Sequence, residues 1–321
     1  MARLTKRRAP SAAFGAVAAG AVLVLSACGS SDNTDAGNTL PSGPGQVSSS
    51  TTPPGKLGVV AAENFWGNIT AQIGGDTVQV TSIISNPETD PHEYETNARD
   101  GAAIASASFV IENGVGYDDF VDKLLDASPN SNREVLKVSD AVGAAKESNP
   151  HLWYNPGYVT KAAQAIETQL AKEDPAQASA FQSNLAAFLK GEQGVIDVID
   201  QIKAKHAGDQ IAYTERVPGY LVDAAGLKLG TPASFSQSIE DGNDPSPGDN
   251  AAFQVALKDH KVKALLYNAQ VTSPITQKLK DLAKSSNVPV VGVTETIPPN
   301  EKDFQTWQGD QARALLAALG G

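Results

Sequence analysis

A helical stretch from residue 159 to residue 206 divides two regions that each alternate short apolar strand patterns with helical ones. Alternating β and α segments build a parallel sheet with helices on both faces. A long helix between two such regions serves as a rigid spine joining two lobes. The expected fold class is therefore α/β, with two lobes, each a parallel sheet flanked by helices, joined by one long spine helix. In the first half, strands are expected at 57–62, 78–84, 109–111 and 134–138, with helices at 64–74, 97–106 and 117–125. In the second half, strands are expected at 211–214, 263–267 and 288–293, with helices at 220–225, 250–257, 275–283 and 304–319. Residues 231–249, rich in Pro, Ser, Gly and Asp, read as a long loop. Within the helical stretch, Asp174 can cap a new helix with Pro175 at its first position. A helix running from there to His206 would be roughly 45 Å long at 1.5 Å per residue.

The N-terminus carries Arg3, Lys6, Arg7 and Arg8, then an apolar run over 12–25 that is too short and small-residued for a comfortable membrane span. Residues 1–27 read as a targeting segment. Removing them takes away four positive charges and moves the formal net charge from −11 to −15. A chain this acidic is not expected to bind nucleic acid through its net field, and its charge suits the gathering of cations. Cys28 is the sole cysteine, which excludes an intrachain disulfide and a Cys₄-type zinc site. Residues 29–55 are Ser, Thr, Gly, Asn and Pro with almost no apolar content, and read as a flexible tether.

The feature that points to chemistry is a repeated frame. Asp90-Pro91-His92-Glu93-Tyr94 and Asn149-Pro150-His151-Leu152-Trp153 both read Asx-Pro-His-x-aromatic, and they hold two of the four histidines. Proline fixes its own φ and extends the residue before it, so each histidine leaves a stiff turn in a set direction. Taken singly, either histidine reads as a turn residue; repetition of the frame points to two ligands aimed at one cation. Acids at the C-terminal ends of strands complete the set, because open α/β sheets bind ligands there. Glu215 directly follows the strand at 211–214, and Glu295 follows the strand at 288–293. Alone, Glu215 reads as an acid favouring a helix dipole, and Glu295 as a solvated loop residue. Two neutral imidazoles and two carboxylates would balance a divalent cation. Asp100 is either a helical surface acid or an outer partner of a ligand. His206 and His260 sit among lysines at expected helix C-termini, where a cationic residue suits the dipole.

These residues resemble the solute-binding lipoproteins of zinc and manganese ABC importers. The resemblance rests on Ala61-Ala62-Glu63-Asn64-Phe65-Trp66-Gly67, Ile73-Gly74-Gly75-Asp76, both His frames, Glu112-Asn113-Gly114, Thr214-Glu215 with Tyr220 and Gly226, the stretch 291–298 and the terminal helix. Leu25-Ser26-Ala27-Cys28 resembles the bacterial lipobox. The resemblance implies cleavage before Cys28, lipid on Cys28, and anchoring on the extracytoplasmic face of the cell membrane. It implies one buried Zn²⁺ or Mn²⁺ held by His92, His151, Glu215 and Glu295, and delivery to an ABC permease with its cytoplasmic ATPase, without catalysis. The chain departs from the family pattern in several places. Asn149 stands where members usually have aspartate, and Glu295 where they generally have aspartate. There is no third histidine near Glu215 and no histidine-rich loop. Two carboxylates favour manganese or ferrous iron, while intrinsic affinity rises toward zinc, so zinc and manganese both stay open.

The expected organisation is a signal peptide over 1–27, lipidated Cys28 and linker to 55, a first lobe over 56–172, a linking helix over 173–207 and a second lobe over 208–321, acting as a monomer. Two other function classes compete. A zinc hydrolase would use His, His and Glu with an open water position. Against it, the sequence has no His-Glu-x-x-His helix, no Gly-x-Ser-x-Gly elbow and no phosphate loop. A surface adhesin-type lipoprotein would need no metal site at all. A related importer subunit for an organic ligand fits poorly with low aromatic content and paired histidines.

Overall fold

The computed structural model describes residues 55–321 apart from Glu88. The targeting segment, Cys28 and nearly all of the tether lie outside the described residues.

The first lobe opens with β1 (Leu57–Glu63), α1 (Asn64–Gly74), β2 (Val78–Ile84), α2 (Ala98–Ser106), β3 (Phe109–Glu112), α3 (Phe120–Ala127) and β4 (Glu134–Lys137). Its four strands pair in parallel in the order β2-β1-β3-β4. β1 is buried along nearly its whole length, as expected of a strand covered on both faces. Its side chains alternate between the two layers. Val59 and Ala61 join Phe65, Trp66 and Ile69 of α1, while Val60 and Ala62 join Ile104, Phe120 and Val121. Gly67 lets α1 lie close on β2, because a Cβ there would collide with the Ser82 side chain.

A short α4 (Val138–Val142) leads to α5 (Pro156–Glu173), a 3₁₀ turn at Pro175–Gln177 and the long α6 (Ala178–His206). α6 has 29 residues, roughly 44 Å at 1.5 Å per residue. The second lobe follows as β5 (Gln210–Tyr213), α7 (Gly219–Ala224), β6 (Lys228–Leu229), α8 (Ala233–Glu240), α9 (Pro247–Lys258), β7 (Leu265–Asn268), α10 (Pro274–Ser285), β8 (Val290–Val293) and α11 (Phe304–Ala318). Its sheet is parallel in the order β6-β5-β7-β8, the same topology as the first. α6 packs against α1 and α5 of the first part of the chain and against α7 and α11 of the second. One apolar cluster runs from Trp66 and Trp153 through Phe188, Val195, Ile199 and Ile202 of α6 to Phe304, Trp307 and Leu315. The two lobes thus share a core along the spine.

Three local expectations give way. Residues 231–249 are not one long loop: α8 and the start of α9 lie inside them. α8 is short and polar, so its propensity is weak, and tertiary contacts hold it instead. Phe235 packs on Phe253 with ring centroids 4.6 Å apart, and Glu240 at its end pairs with Arg216. The helix expected from residue 117 begins at Phe120, leaving Tyr117 in the preceding turn. Asp100 is neither a surface acid nor a partner of either frame histidine. It closes the capping box of α2 by accepting from the Asn97 amide at 2.9 Å, and it accepts from the Tyr94 hydroxyl at 2.7 Å.

Glu192 is the costly residue of the spine. It is 2 % exposed and its Oε2 has no hydrogen-bond partner. Burial pushes its carboxyl up from 4.5 to about 7. An acid whose folded pKa is raised loses stability as pH climbs from the unfolded value toward the folded one, by about 1.4 kcal/mol per pH unit. Glu192→Gln is therefore expected to raise the stability by on the order of 3 kcal/mol at pH 8 and to change it little at pH 4.5. Denaturant unfolding at the two pH values measures the difference; equal effects at both would mean that Glu192 is not buried as an acid.

Candidate metal centre

Both His frames fold the same way. The Asp90 carboxylate accepts from the His92 backbone amide at 2.9 Å, and the Asn149 side-chain oxygen accepts from the His151 amide at 3.2 Å. Each is a local turn that Asx and Pro prepare together. Asn149 does more than Asp90, since its Oδ1 also lies 2.7 Å from His151 Nδ1. As a carbonyl oxygen it accepts there, so Nδ1 carries the proton and Nε2 keeps its lone pair. The Asn149 amide donates to the Arg216 carbonyl at 2.7 Å, and Tyr220 donates to the Asn149 carbonyl at 3.0 Å, which ties this frame to the second lobe.

His92, His151 and Glu295 converge, with one donor atom from each lying within 4.8 Å of the others. Glu295 Oε2 is 3.4 Å from His92 Nε2 and 3.5 Å from His151 Nε2. His151 and Glu295 are fully buried, while the His92 side chain keeps 21 % exposure. Glu215 is not part of that tight group. It is joined to it by Asn268, whose Nδ2 donates to Glu215 Oε2 at 2.8 Å and to Glu295 Oε1 at 2.9 Å. Three buried polar atoms here have no hydrogen-bond partner: His92 Nε2, His151 Nε2 and Glu215 Oε1. Buried polar atoms without partners are costly, and protons held by His92 and Glu215, or a cation in their place, would meet that cost. The donors are two imidazole nitrogens and carboxylate oxygens, a mixture that suits zinc, manganese or iron.

Several residues that shape this centre carry no acid or imidazole; of these only Asn113, in Glu112-Asn113-Gly114, stood out in the sequence, and with no role at the site. Tyr117 donates to Glu295 Oε2 at 2.8 Å. Burial, then the nearby Glu295 charge, pushes its hydroxyl well above 10, so it stays a donor. Gln270 accepts from the Glu295 and Thr296 amides at 3.1 Å and donates to the Thr89 carbonyl at 2.8 Å, linking the Glu295 turn to the loop before His92. Asn113 donates to the Pro150 carbonyl at 2.8 Å and accepts from Trp66 Nε1 at 3.2 Å. Asn268 and Asn113 each stand at the C-terminal end of the third strand of their lobe. A search of strand ends that includes amides finds both.

Burial raises the Glu295 carboxyl, but His151 and His92 outweigh it and hold it well below 4.5. Burial lowers His92, but Glu295 beside it wins and lifts it to about 9. Burial, and then Glu295, raises Glu215 to about 8. An open cleft of about 490 Å³ reaches the centre, lined by Asp90, His92, Glu93, Glu215, Glu240 and Asp244 among others.

The arrangement is that of a two-lobed binding protein with a buried, polar, cation-sized centre between its sheets. Residues 59–318 match the family described as "Zinc-uptake complex component A periplasmic" (ZnuA), and the chain belongs to that family. It is 26 % identical over 255 residues to the metal ABC transporter substrate-binding lipoprotein FimA of Streptococcus parasanguinis, covering 74 % of this chain and 79 % of the relative. It is 25 % identical over 254 residues to the manganese ABC transporter substrate-binding lipoprotein PsaA of Streptococcus pneumoniae, covering 73 % and 78 %. The fold is similar to that of the periplasmic zinc-binding protein TroA of Treponema pallidum, with a TM-score of 0.71, 17 % identity and coverage of 83 % and 99 %. It is also similar to FpvC of Pseudomonas aeruginosa in complex with Mn²⁺, with a TM-score of 0.68, 22 % identity and coverage of 83 % and 98 %.

In the metal-free protein, His92 is expected to titrate near 9, and Glu295→Gln to bring it down toward or below its ordinary 6.5, because burial alone lowers an imidazole. The His92–Glu295 pair stabilises the metal-free protein fully between about pH 4.5 and 6.5, less as pH rises through about 9 and the His92 proton leaves, and less as pH falls below 4.5 toward protonation of Glu295. An NMR titration of the histidine ring protons checks this. An unchanged His92 in the Glu295→Gln protein would remove Glu295 as the cause.

Proposed function

We propose that this protein is the extracytoplasmic solute-binding component of an ABC importer for a divalent transition metal ion, Zn²⁺ or Mn²⁺. The observation that carries the proposal is the convergence of the His92 and His151 Nε2 atoms on the buried Glu295 carboxylate between the lobes. Membership of the zinc-uptake family and similarity to metal-binding lipoproteins support it. The ligands in this reading are His92, His151, Glu295 and Glu215, the last offering its free Oε1. First-lobe residues supply the imidazoles and second-lobe residues the carboxylates, so the cation completes a junction between lobes.

Capture begins in the acidic cleft. Asp90, Glu93, Asp241 and Asp244 line it, beside Glu240, whose charge Arg216 offsets; among the described residues no lysine or arginine is part of its lining. Such a wall concentrates cations and speeds their arrival, an effect that salt screens. The cation then displaces the proton on His92 and the proton on Glu215, since ligation requires the neutral imidazole and the carboxylate. Aromatic rings close the back of the site: Trp153 and Tyr117 stand 5.2 and 5.7 Å from the His151 ring. The metal is cargo for a membrane permease and its ATPase, and no reaction is part of this function. Cys28 carries the lipid that anchors the protein at the outer face of the membrane.

Calorimetric titration of the chelator-stripped protein tests the proposal. One tight site for Zn²⁺ or Mn²⁺ is expected, with apparent affinity rising from about pH 6 to about pH 8 as the competing protons leave. His92→Ala and His151→Ala should each weaken it by on the order of 100-fold or more while the fold survives, because each removes one of few ligands. Wild-type affinity in both variants overturns the ligand assignment; no saturable binding in the wild type overturns metal capture and leaves an organic-ligand or adhesive lipoprotein as the better reading.

A further inference from the structure

Asn268 is 1 % exposed and holds a position that metal ligation does not itself require. Its single NH₂ group reaches both carboxylates, at 2.8 Å to Glu215 Oε2 and 2.9 Å to Glu295 Oε1. Its Oδ1 accepts from the backbone amides of Gln270 at 3.0 Å and Val271 at 3.4 Å, which fixes the orientation of the amide. The Asn268 backbone amide in turn donates to Thr214 Oγ1 at 3.1 Å. The side chain is therefore clamped at both ends and has no freedom to swing away from the acids.

The consequence is one of denticity. A free carboxylate can chelate a cation with two oxygens. Here the Asn268 amide donates to one oxygen on each acid; Glu215 Oε1 is left without a hydrogen-bond partner, and Glu295 Oε2, which also accepts from the Tyr117 hydroxyl, lies 3.4 and 3.5 Å from the two imidazole nitrogens. The Tyr117 hydroxyl can turn its proton away from Oε2, whereas the clamped Asn268 amide cannot leave Glu215 Oε2 or Glu295 Oε1, so each acid keeps one oxygen for a cation. Two imidazoles and two single oxygens make four ligands, the number zinc prefers; cations that favour six positions need the oxygens that Asn268 covers. The same amide bridges two carboxylates that otherwise repel each other across a buried site, and so keeps Glu215 near the group it does not quite join.

Resting on the metal-capture reading above, we infer that Asn268 is a positioning residue that limits Glu215 and Glu295 to single-oxygen ligation and thereby sets the coordination number and metal preference of the site. It touches the ligands and not the cation.

Co²⁺ serves as the probe, because its visible spectrum is intense when four-coordinate and weak when six-coordinate. The purified full chain is compared with Asn268→Leu, which removes donor and acceptor at similar size, and with Asn268→Asp, which keeps the acceptor for Gln270 and Val271 and loses the donor. The wild type is expected to give the intense four-coordinate bands. Both variants should bind Co²⁺ with weaker bands, and their Zn²⁺-to-Mn²⁺ affinity ratio should fall about tenfold, the size of effect that outer partners of ligands exert. Bands and ratio unchanged in a folded variant would overturn the role of Asn268 while leaving the site intact, and Asn268→Asp serves if Asn268→Leu does not fold. A wild-type chain that leaves the spectrum of aqueous Co²⁺ unaltered overturns the metal site itself.

Discussion

The Glu295 carboxylate has no exposure to solvent, and the arrangement around it follows from that fact. A lone buried carboxylate is prohibitively expensive, so it must be paired and hydrogen-bonded. Its partners come from both lobes. His92, His151 and Tyr117 approach from the first, and Asn268 from the second. The turn that carries it is held by Gln270, which reaches across to Thr89. One anion thus fastens the lobes at their mouth, as the apolar cluster along α6 fastens them at their back. At neutral pH in the metal-free protein, the raised His92 supplies the compensating positive charge, and Glu215 holds its own proton. In the proposed capture a cation would take the place of these protons, so the site would stay buried in both conditions.

The sheets explain why the centre lies where it does. Each has its first strand flanked by the second and third, so connections leave in opposite directions at the junction of first and third strands. That junction opens a crevice at the strands' C-terminal ends, where open α/β sheets bind ligands. The two crevices face each other. In the second lobe, Glu215 follows β5 and Asn268 ends β7. In the first, Glu63 ends β1 and Asn113 follows β3. The equivalent asparagines do equivalent work, since Asn113 holds Pro150 within the His151 frame and Asn268 holds the two acids.

What the sequence disclosed was what local chemistry decides. The His frames were legible because proline geometry and an Asx turn act over two residues, and the structure repeats the same hydrogen bond in both. The β-α alternation was legible because β1 and β3 are buried on both faces and read as apolar runs. α8 was hidden because its anchors, Phe253 and Arg216, lie elsewhere in the chain. Tyr117 and Asn268 were hidden for a related reason: a phenol in a turn and an amide at a strand end look ordinary until the fold brings Glu295 to them. The capping box of Asn97 and Asp100 was within reach, as a purely local pattern, and an assignment of Asp100 to it needed no tertiary information.

Ligand identity alone discriminates poorly between zinc and manganese, because nitrogen and oxygen donors of this kind serve both and raw affinity follows a fixed order. Selectivity must then come from how many bonds the site permits and how firmly it holds them. Two of the groups that touch these side chains are neutral amides: Asn149 fixes which nitrogen of His151 faces the centre, and Asn268 donates to one oxygen of each acid. Neither adds charge, so neither alters the balance between the buried ligands and a divalent cation. The spine adds a mechanical limit. With α6 packed into a core that both lobes share, opening the site by a wide hinge would tear apolar contact along its length, whereas a small tilt that lengthens the Gln270–Thr89 and Asn149–Arg216 links would release the mouth alone.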